Sequence, residues 1–479
     1  MRRQLINKYF LANYKLIGVL LIVIAIHLPL IFNDFHTDDF MVLEIIQKGI
    51  SSGILMWMEN PANFRPLVNL VIYVRYWFFD EIAGLWYLLN ILLHLLATAL
   101  LYKFTKQLYD DNTAVLAALF FGVYFQHFEA VLWLYGIVRL LAGICVLLTL
   151  YHYNAAMRGF KRVNILASYL CFGLGLLCVE DVVCLSIFLL AGIWLYESRE
   201  KRRQMLFGIG FIGITFLYLL VRWILGDSDS SAASYFGLGK HVLNNIIAYP
   251  GWLLLPALDH PYIAPFIKTY FPRISPYLKP IDLTISAIAL LIVIYLFVRG
   301  DKIQKRALVF TLIALIPAIL FNRKISTKLS YIPSIGVAIL AASMIKPALY
   351  AAGKIARKSI YVILLLYFIG QAGAIILTIN YYRVTQATVT NLLNQLDSLN
   401  IDWTQYEYML FDRVPGRARL GSAFHYRHGL APRLIENCEQ AEDPPDLKAE
   451  KNRLREDGVS FIEIDFSKGY PVIVENNPK

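Results

Sequence analysis

The stretch LIGVLLIVIAIHLPLIFNDFHTDDFMVLE, residues 16–44, decides the fold class. Residues 16–32 form an apolar run of membrane-spanning length. No small-residue cleavage site flanks it and further apolar runs follow, so it reads as a retained helix rather than a removed signal peptide. Directly beyond it stand two adjacent carboxylates, Asp38 and Asp39. Charge beside a bilayer is costly, which makes this pair a functional candidate by default. The plainer alternative is a chain that carries acids simply because it emerges into water.

The rest of the chain continues the pattern. Its 479 residues are 58% hydrophobic and 16% charged, with a mean hydropathy of +0.55, too apolar for a soluble domain of this size. About eleven transmembrane helices are expected, at 16–32, 85–102, 113–125, 136–153, 164–179, 182–196, 205–225, 281–297, 307–321, 331–345 and 360–381. The net charge of +11 is spread over short basic clusters at 2–8, 103–106, 158–162, 199–203, 299–306 and 346–358. Two apolar segments separate each cluster from the next, so the positive-inside rule puts them all in the cytoplasm with the N-terminus. Clusters this dispersed make no single basic face, which argues against nucleic-acid binding. The five cysteines show neither zinc spacing nor a disulfide framework and read as apolar packing residues.

Two long outer loops are expected, 36–84 and 226–280. The first holds amphipathic pieces at 41–58 and 66–79. The second opens on the flexible DSDSSA of 227–232 and continues into 237–255. That segment is interrupted by Pro250-Gly251 and expected to re-enter or lie on the surface, because a full crossing would invert every later basic cluster. Composition changes after Arg383. The membrane domain is therefore expected over 1–383, and a small extracytoplasmic α/β domain over 384–479. In the latter, Val389, Leu392, Leu393, Leu396 and Leu399 form a helical stripe, 406–411 a strand, 446–457 a charged helix, and 460–466 with 470–475 a hairpin.

With this topology, polar residues from separate outer helix ends face one compartment: Asp38, Asp39, Arg65, His127, Glu129, Arg139, Glu180, Asp181, Arg323, Lys324 and Lys328. Carboxylates suit a general base or a divalent cation, with Glu129 and Asp39 the candidate ligands of a magnesium or manganese ion. Arginine and lysine suit a phosphate through charge-assisted hydrogen bonds. His94, inside a span, reads as a core histidine with its hydrogen bonds satisfied.

The acidic pair after the first helix, Phe64-Arg65-Pro66-Leu67, NILLHLLATALLY (90–102), LAALFFGVYFQHFEAVLWLYGIVRLLAGI (116–144) and KLSYIPSIG (328–336) form an ordered set. Over about residues 16–350 it resembles the membrane core of C-type (GT-C) glycosyltransferases, above all the protein O-mannosyltransferases and their tetratricopeptide-bearing relatives. The resemblance implies a polyprenyl-phosphate-linked sugar donor, inversion at the sugar, and a site on the outer face. It implies catalytic roles for Asp38 and Asp39. Arg65, Arg139, Arg323, Lys324 and Lys328 would hold the donor phosphate, and His127, Glu129 and Glu180 would form an acceptor or second acidic loop. The chain departs from that pattern where Gln126-His127-Phe128-Glu129 lacks the family's proline and where no tetratricopeptide repeat follows. The expected protein is thus a multi-pass plasma-membrane enzyme acting on a protein, lipid or envelope glycan. The alternatives are a transporter or flippase of a lipid-linked substrate, or an inactive scaffold.

Overall fold

The computed structural model describes residues 2–35, 39–40, 42–44, 46, 64–191, 201–225, 236–256, 258, 263–322, 326–415, 420–428, 433–438 and 446–478. The segments expected at 41–58 and 227–232 lie largely or wholly outside these. The chain is a multi-pass helical membrane protein with a small sheet domain near its C-terminus. It divides into two compact units: residues 1–31 with 55–378, and residues 32–54 with 379–479. The second unit thus includes residues 32–54, the stretch that carries the acidic pair.

In the first unit the helices are α1 (Arg2–His27), α2 (Pro66–Phe79), α3 (Ala83–Leu108), α4 (Asp111–Gly122), α5 (Phe128–Val131), α6 (Ile137–Gly159), α7 (Arg162–Leu176) and α8 (Val183–Ala191). There follow α9 (Lys201–Ile224), α10 (Lys240–Trp252), α11 (Ala264–Tyr270), α12 (Leu278–Arg299), α13 (Lys302–Ala314), α14 (Ile316–Leu320) and α15 (Pro333–Ala351); α16 (Lys354–Ser398) runs on into the second unit. Among the described residues, eight helical segments are long and apolar enough to span, and the count is nine if the bent pair Asp111–Gly122 with Phe125–Val131 is taken as one crossing. At 1.5 Å per residue, the 15-residue α7 reaches only about 22 Å, short of a ~30 Å hydrocarbon core.

The span expected as one piece at 113–125 is broken, with a bend of 57°. A break inside a membrane frees backbone groups that need partners. His94 Nε2 donates to Gly122 O at 3.1 Å, and Phe125 N donates to Gln371 Oε1 at 2.8 Å. His94 Nδ1 meets the Tyr331 hydroxyl at 3.0 Å, so both ring nitrogens are satisfied. The 237–255 segment forms α10, whose 13 residues reach only about 20 Å. Asn245 Nδ2 clamps it to the end of α14, donating to Ala318 O, Ile319 O and Phe321 O at 2.9–3.2 Å. The 256–280 segment, expected as loop throughout, contains α11 and the start of α12. In α2, Arg75 is buried: its guanidinium lies 4.5 Å from the Trp86 ring centroid and donates to Trp86 O at 2.7 Å.

The second unit holds β1 (Tyr408–Val414), α17 (Leu420–His428), β2 (Arg433–Cys438), α18 (Leu447–Glu456), β3 (Phe461–Asp465) and β4 (Val472–Asn477). The strand order is β2-β1-β3-β4. β1 runs parallel to β2, with Tyr408 opposite Arg433, and to β3, with Leu410 opposite Glu463; β4 returns antiparallel. A central parallel strand is covered on both faces, so it reads as continuous apolar sequence. Met409 and Phe411 face the helical stripe of Val389, Leu392, Leu393 and Leu396, whereas Leu410 faces Leu447 and Leu454. That stripe belongs to α16 itself, so one helix runs from the apolar 360–381 segment into the second unit.

Candidate functional site

Three connections of the first unit bring charge together: Phe64-Arg65 before α2, Val179–Asp181 between α7 and α8, and Ser326–Lys328 before α15. The last is drawn onto α6 at Gly143, where a Cβ would lie 2.5 Å from the Tyr331 ring. Only glycine permits that approach.

Arg65 Nη2 donates to Glu180 Oε1 at 2.8 Å and Nε to Oε2 at 3.3 Å, a bidentate pair, while Nη1 reaches the Tyr135 hydroxyl at 3.5 Å. Burial opposes ionisation of Glu180, but the Arg65 guanidinium outweighs it and holds the carboxyl at about 2. Glu180 is also within the field of Arg139, which is ion-paired with the neighbouring Asp181; both of these side chains are 9% exposed.

Glu129 closes the third side. Its Oε2 accepts from the Ser326 hydroxyl at 2.8 Å and from Lys328 N at 2.7 Å. The Lys328 ammonium stands 4.7 Å from the Trp133 ring centroid. Tyr249 links the groups: its hydroxyl donates to Ser326 O at 3.2 Å and interacts with the charges of Glu129, Arg139 and Asp181 together. Arg139 and Asp181 share a cavity of about 10 Å³, enough for a single water, with Leu329, Ile332 and Pro333.

Of the residues singled out in the sequence, Arg65, Arg139, Glu129, Glu180 and Lys328 therefore share one polar neighbourhood in the first unit. His127 does not join them. It is buried in an aromatic core, with Nε2 2.7 Å from Ser334 Oγ and its ring against Tyr331 and His94. Asp39 is buried at the start of a helical segment in the second unit. Asp38, Arg323 and Lys324 fall outside the described residues. Tyr135, Tyr249, Ser326 and Trp133 were not singled out; as single residues in aromatic or polar connections they carry no spacing signal.

The magnesium or manganese ion considered from the sequence has no ligand cluster among the described residues. No three His, Cys, Asp or Glu side chains among them come together, and Glu129 Oε2 faces hydrogen-bond donors.

The Arg65–Glu180 pair sets a pH dependence. A depressed carboxyl pKa stabilises the fold above the unfolded value, 4.5, and the gain is lost as pH falls toward about 2. The gap in thermal midpoint between wild type and Glu180→Gln in detergent is expected to be full at neutral pH and to shrink over that window. A gap independent of pH would contradict the pairing.

No protein-family model matches the sequence, and no curated protein is similar to it in sequence. Solved structures share its fold. The archaeal oligosaccharyltransferase AglB from Archaeoglobus fulgidus, in complex with an inhibitory peptide and a dolichol-phosphate, superposes with a TM-score of 0.55 at 13% identity, over 95% of this chain and 70% of that one. The oligosaccharyltransferase of the same organism tethered to an acceptor peptide containing the NVT sequon gives 0.50 at 13% identity, over 89% and 64%. ArnT from Cupriavidus metallidurans bound to undecaprenyl phosphate aligns over 96% and 94% at 16% identity, with a TM-score of 0.43. This chain spans only about two-thirds of the length of the oligosaccharyltransferase. The chain shares the membrane fold of these oligosaccharyltransferase structures; at these identities the likeness carries the architecture and not the activity.

Proposed function

We propose that this protein is a membrane glycosyltransferase that moves a sugar from a polyprenyl-phosphate-linked donor to an acceptor, with inversion at the anomeric carbon. One observation carries the proposal. An apolar groove of about 390 Å³ between α7 and α9, lined by Phe64, Leu174, Leu177, Leu217 and Tyr218, adjoins the charge cluster. Phe64 precedes Arg65 directly, and the Tyr218 hydroxyl accepts from Arg222 Nη1 at 3.4 Å and interacts with Arg65 and Glu180. A hydrocarbon groove leading to buried guanidinium groups matches a lipid that ends in a phosphate. The shared fold supports this, since AglB has been solved with a dolichol-phosphate.

Arg65, Arg139 and Lys328 neutralise the phosphate as it leaves, with Arg323 and Lys324 as further donors. Asp38 or Asp39 takes the proton from the acceptor as the new bond to the anomeric carbon forms and the bond to the phosphate oxygen breaks. The setting is a prokaryotic plasma membrane, with the N-terminus in the cytoplasm and the sheet domain outside. The acceptor is a protein, a lipid or an envelope glycan. A transporter would be expected to carry paired interrupted helices in two repeats; one bent pair is present among the described residues.

Undecaprenyl phosphate added to the detergent-solubilised protein is expected to raise its thermal midpoint with the logarithm of its concentration above Kd, corresponding to about 2.7 kcal/mol of stabilisation at a hundredfold excess over Kd. Uncharged undecaprenol is expected to raise it far less. Equal shifts from both would show that the phosphate is not recognised.

A further inference from the structure

Among the described acids of the cluster, Glu180 and Asp181 pair with arginines, whereas Glu129 accepts from a backbone amide and a hydroxyl. Its Oε2 takes a backbone amide, Lys328 N, and a hydroxyl, Ser326 Oγ, from the same short turn. The turn itself is a 3-10 helix, Thr327–Ser330, a weakly held element that is seldom longer than one turn. Ser326 is tied on its other side to Tyr249, whose hydroxyl both accepts from Ser326 N at 3.3 Å and donates to Ser326 O at 3.2 Å. Lys328 then projects over the Trp133 ring, four residues after Glu129 in the chain.

The geometry points to Glu129 as a positioning residue: it pins the Ser326–Lys328 turn and thereby places the Lys328 ammonium over Trp133, on the side of the cluster assigned to the donor phosphate. This rests on the proposed lipid-phosphate donor. It reassigns Glu129 from the acceptor or metal role that its place in the sequence implied. A carboxylate that accepts from a backbone amide and a hydroxyl acts through an oxygen, and a glutamine oxygen can accept from the same donors. A metal ligand or a general base, by contrast, needs the charge itself.

The test follows undecaprenyl phosphate binding to the purified full-length protein, together with amide exchange of the segment 326–332. Lys328→Ala is expected to weaken binding about tenfold, as for loss of one charge-assisted contact. Glu129→Ala is expected to weaken it similarly and to speed exchange of the segment. Glu129→Gln is expected to stay near wild type in both readouts, and Glu129→Ala/Lys328→Ala to bind no worse than Lys328→Ala alone. Glu129→Gln as weak as Glu129→Ala, with exchange of the segment unchanged, would overturn the positioning role and give Glu129 a direct charge contact. If wild type and every variant fail to bind while Glu129→Ala still speeds exchange, the lipid-phosphate donor is wrong and ligand positioning by Glu129 falls with it.

Discussion

Arg139→Ala is expected to destabilise the protein by about 3–5 kcal/mol, because it leaves the Asp181 carboxylate buried without its counter-charge. Both side chains are 9% exposed, and Asp181 lines the same one-water cavity as Arg139. Water therefore cannot replace the guanidinium at little cost. Asp181→Ala is expected to be damaging in the same way, now leaving Arg139 unpaired. The double variant Arg139→Met/Asp181→Leu is expected to recover most of the thermal midpoint, since removing both charges also removes their desolvation cost. It is not expected to recover sugar transfer, because the proposed phosphate site then lacks one of its guanidinium groups. Thermal unfolding in detergent reads the stability, and transfer from a lipid-linked donor reads the function. A wild-type midpoint in Arg139→Ala would show that the pair is not the anchor between α6 and the 179–181 turn.

How far the sequence reaches can be judged at particular residues. The spans were legible because a hydrocarbon slab leaves only one signal, a long apolar run, and α1, α3, α6 and α12 follow it. The break between α4 and α5 was not, because His94 and Gln371 satisfy the freed backbone groups from places far along the chain. In the sheet domain, β3 and β4 were legible as a hairpin around Ser467-Lys468-Gly469, and β1 from its apolar run. β2, RLIENC, was missed: it is a short edge strand with charged and polar positions, and pairs only with β1.

For the site, residue types at helix ends led to Arg65, Arg139, Glu129, Glu180 and Lys328. Which acid meets which cation did not follow, since Arg65 and Glu180 are 115 positions apart in sequence. The partners that tie the turns together, Tyr249 and Ser326, have no pattern of their own; they matter because Gly143 lets the 327–331 turn close on α6. His127 was misplaced for a related reason. A histidine beside an acid looks like half of a site, yet here the two side chains leave the bent pair in different directions, one into aromatic packing and one to the 326–328 turn.

A carboxylate that removes the acceptor proton contributes about 10²–10⁴ to the rate. Replacing the catalytic member of Asp38 and Asp39 by asparagine is therefore expected to lower transfer by that factor while donor affinity stays near wild type. The other member is expected to show a smaller loss. Asp39 is buried, so Asp39→Asn is judged only beside its thermal midpoint, to separate a missing base from a damaged fold.

The most direct measurement is transfer of labelled sugar from a panel of polyprenyl-phosphate donors in membranes that hold wild type, Asp38→Asn or Asp39→Asn, with native membrane lipids and proteins present as acceptors. Wild type is expected to transfer sugar from at least one donor, and one of the two variants to lose transfer at unchanged expression and thermal midpoint. Wild-type transfer that survives both substitutions, or the absence of transfer from every donor when acceptors are present, would contradict the proposed mechanism.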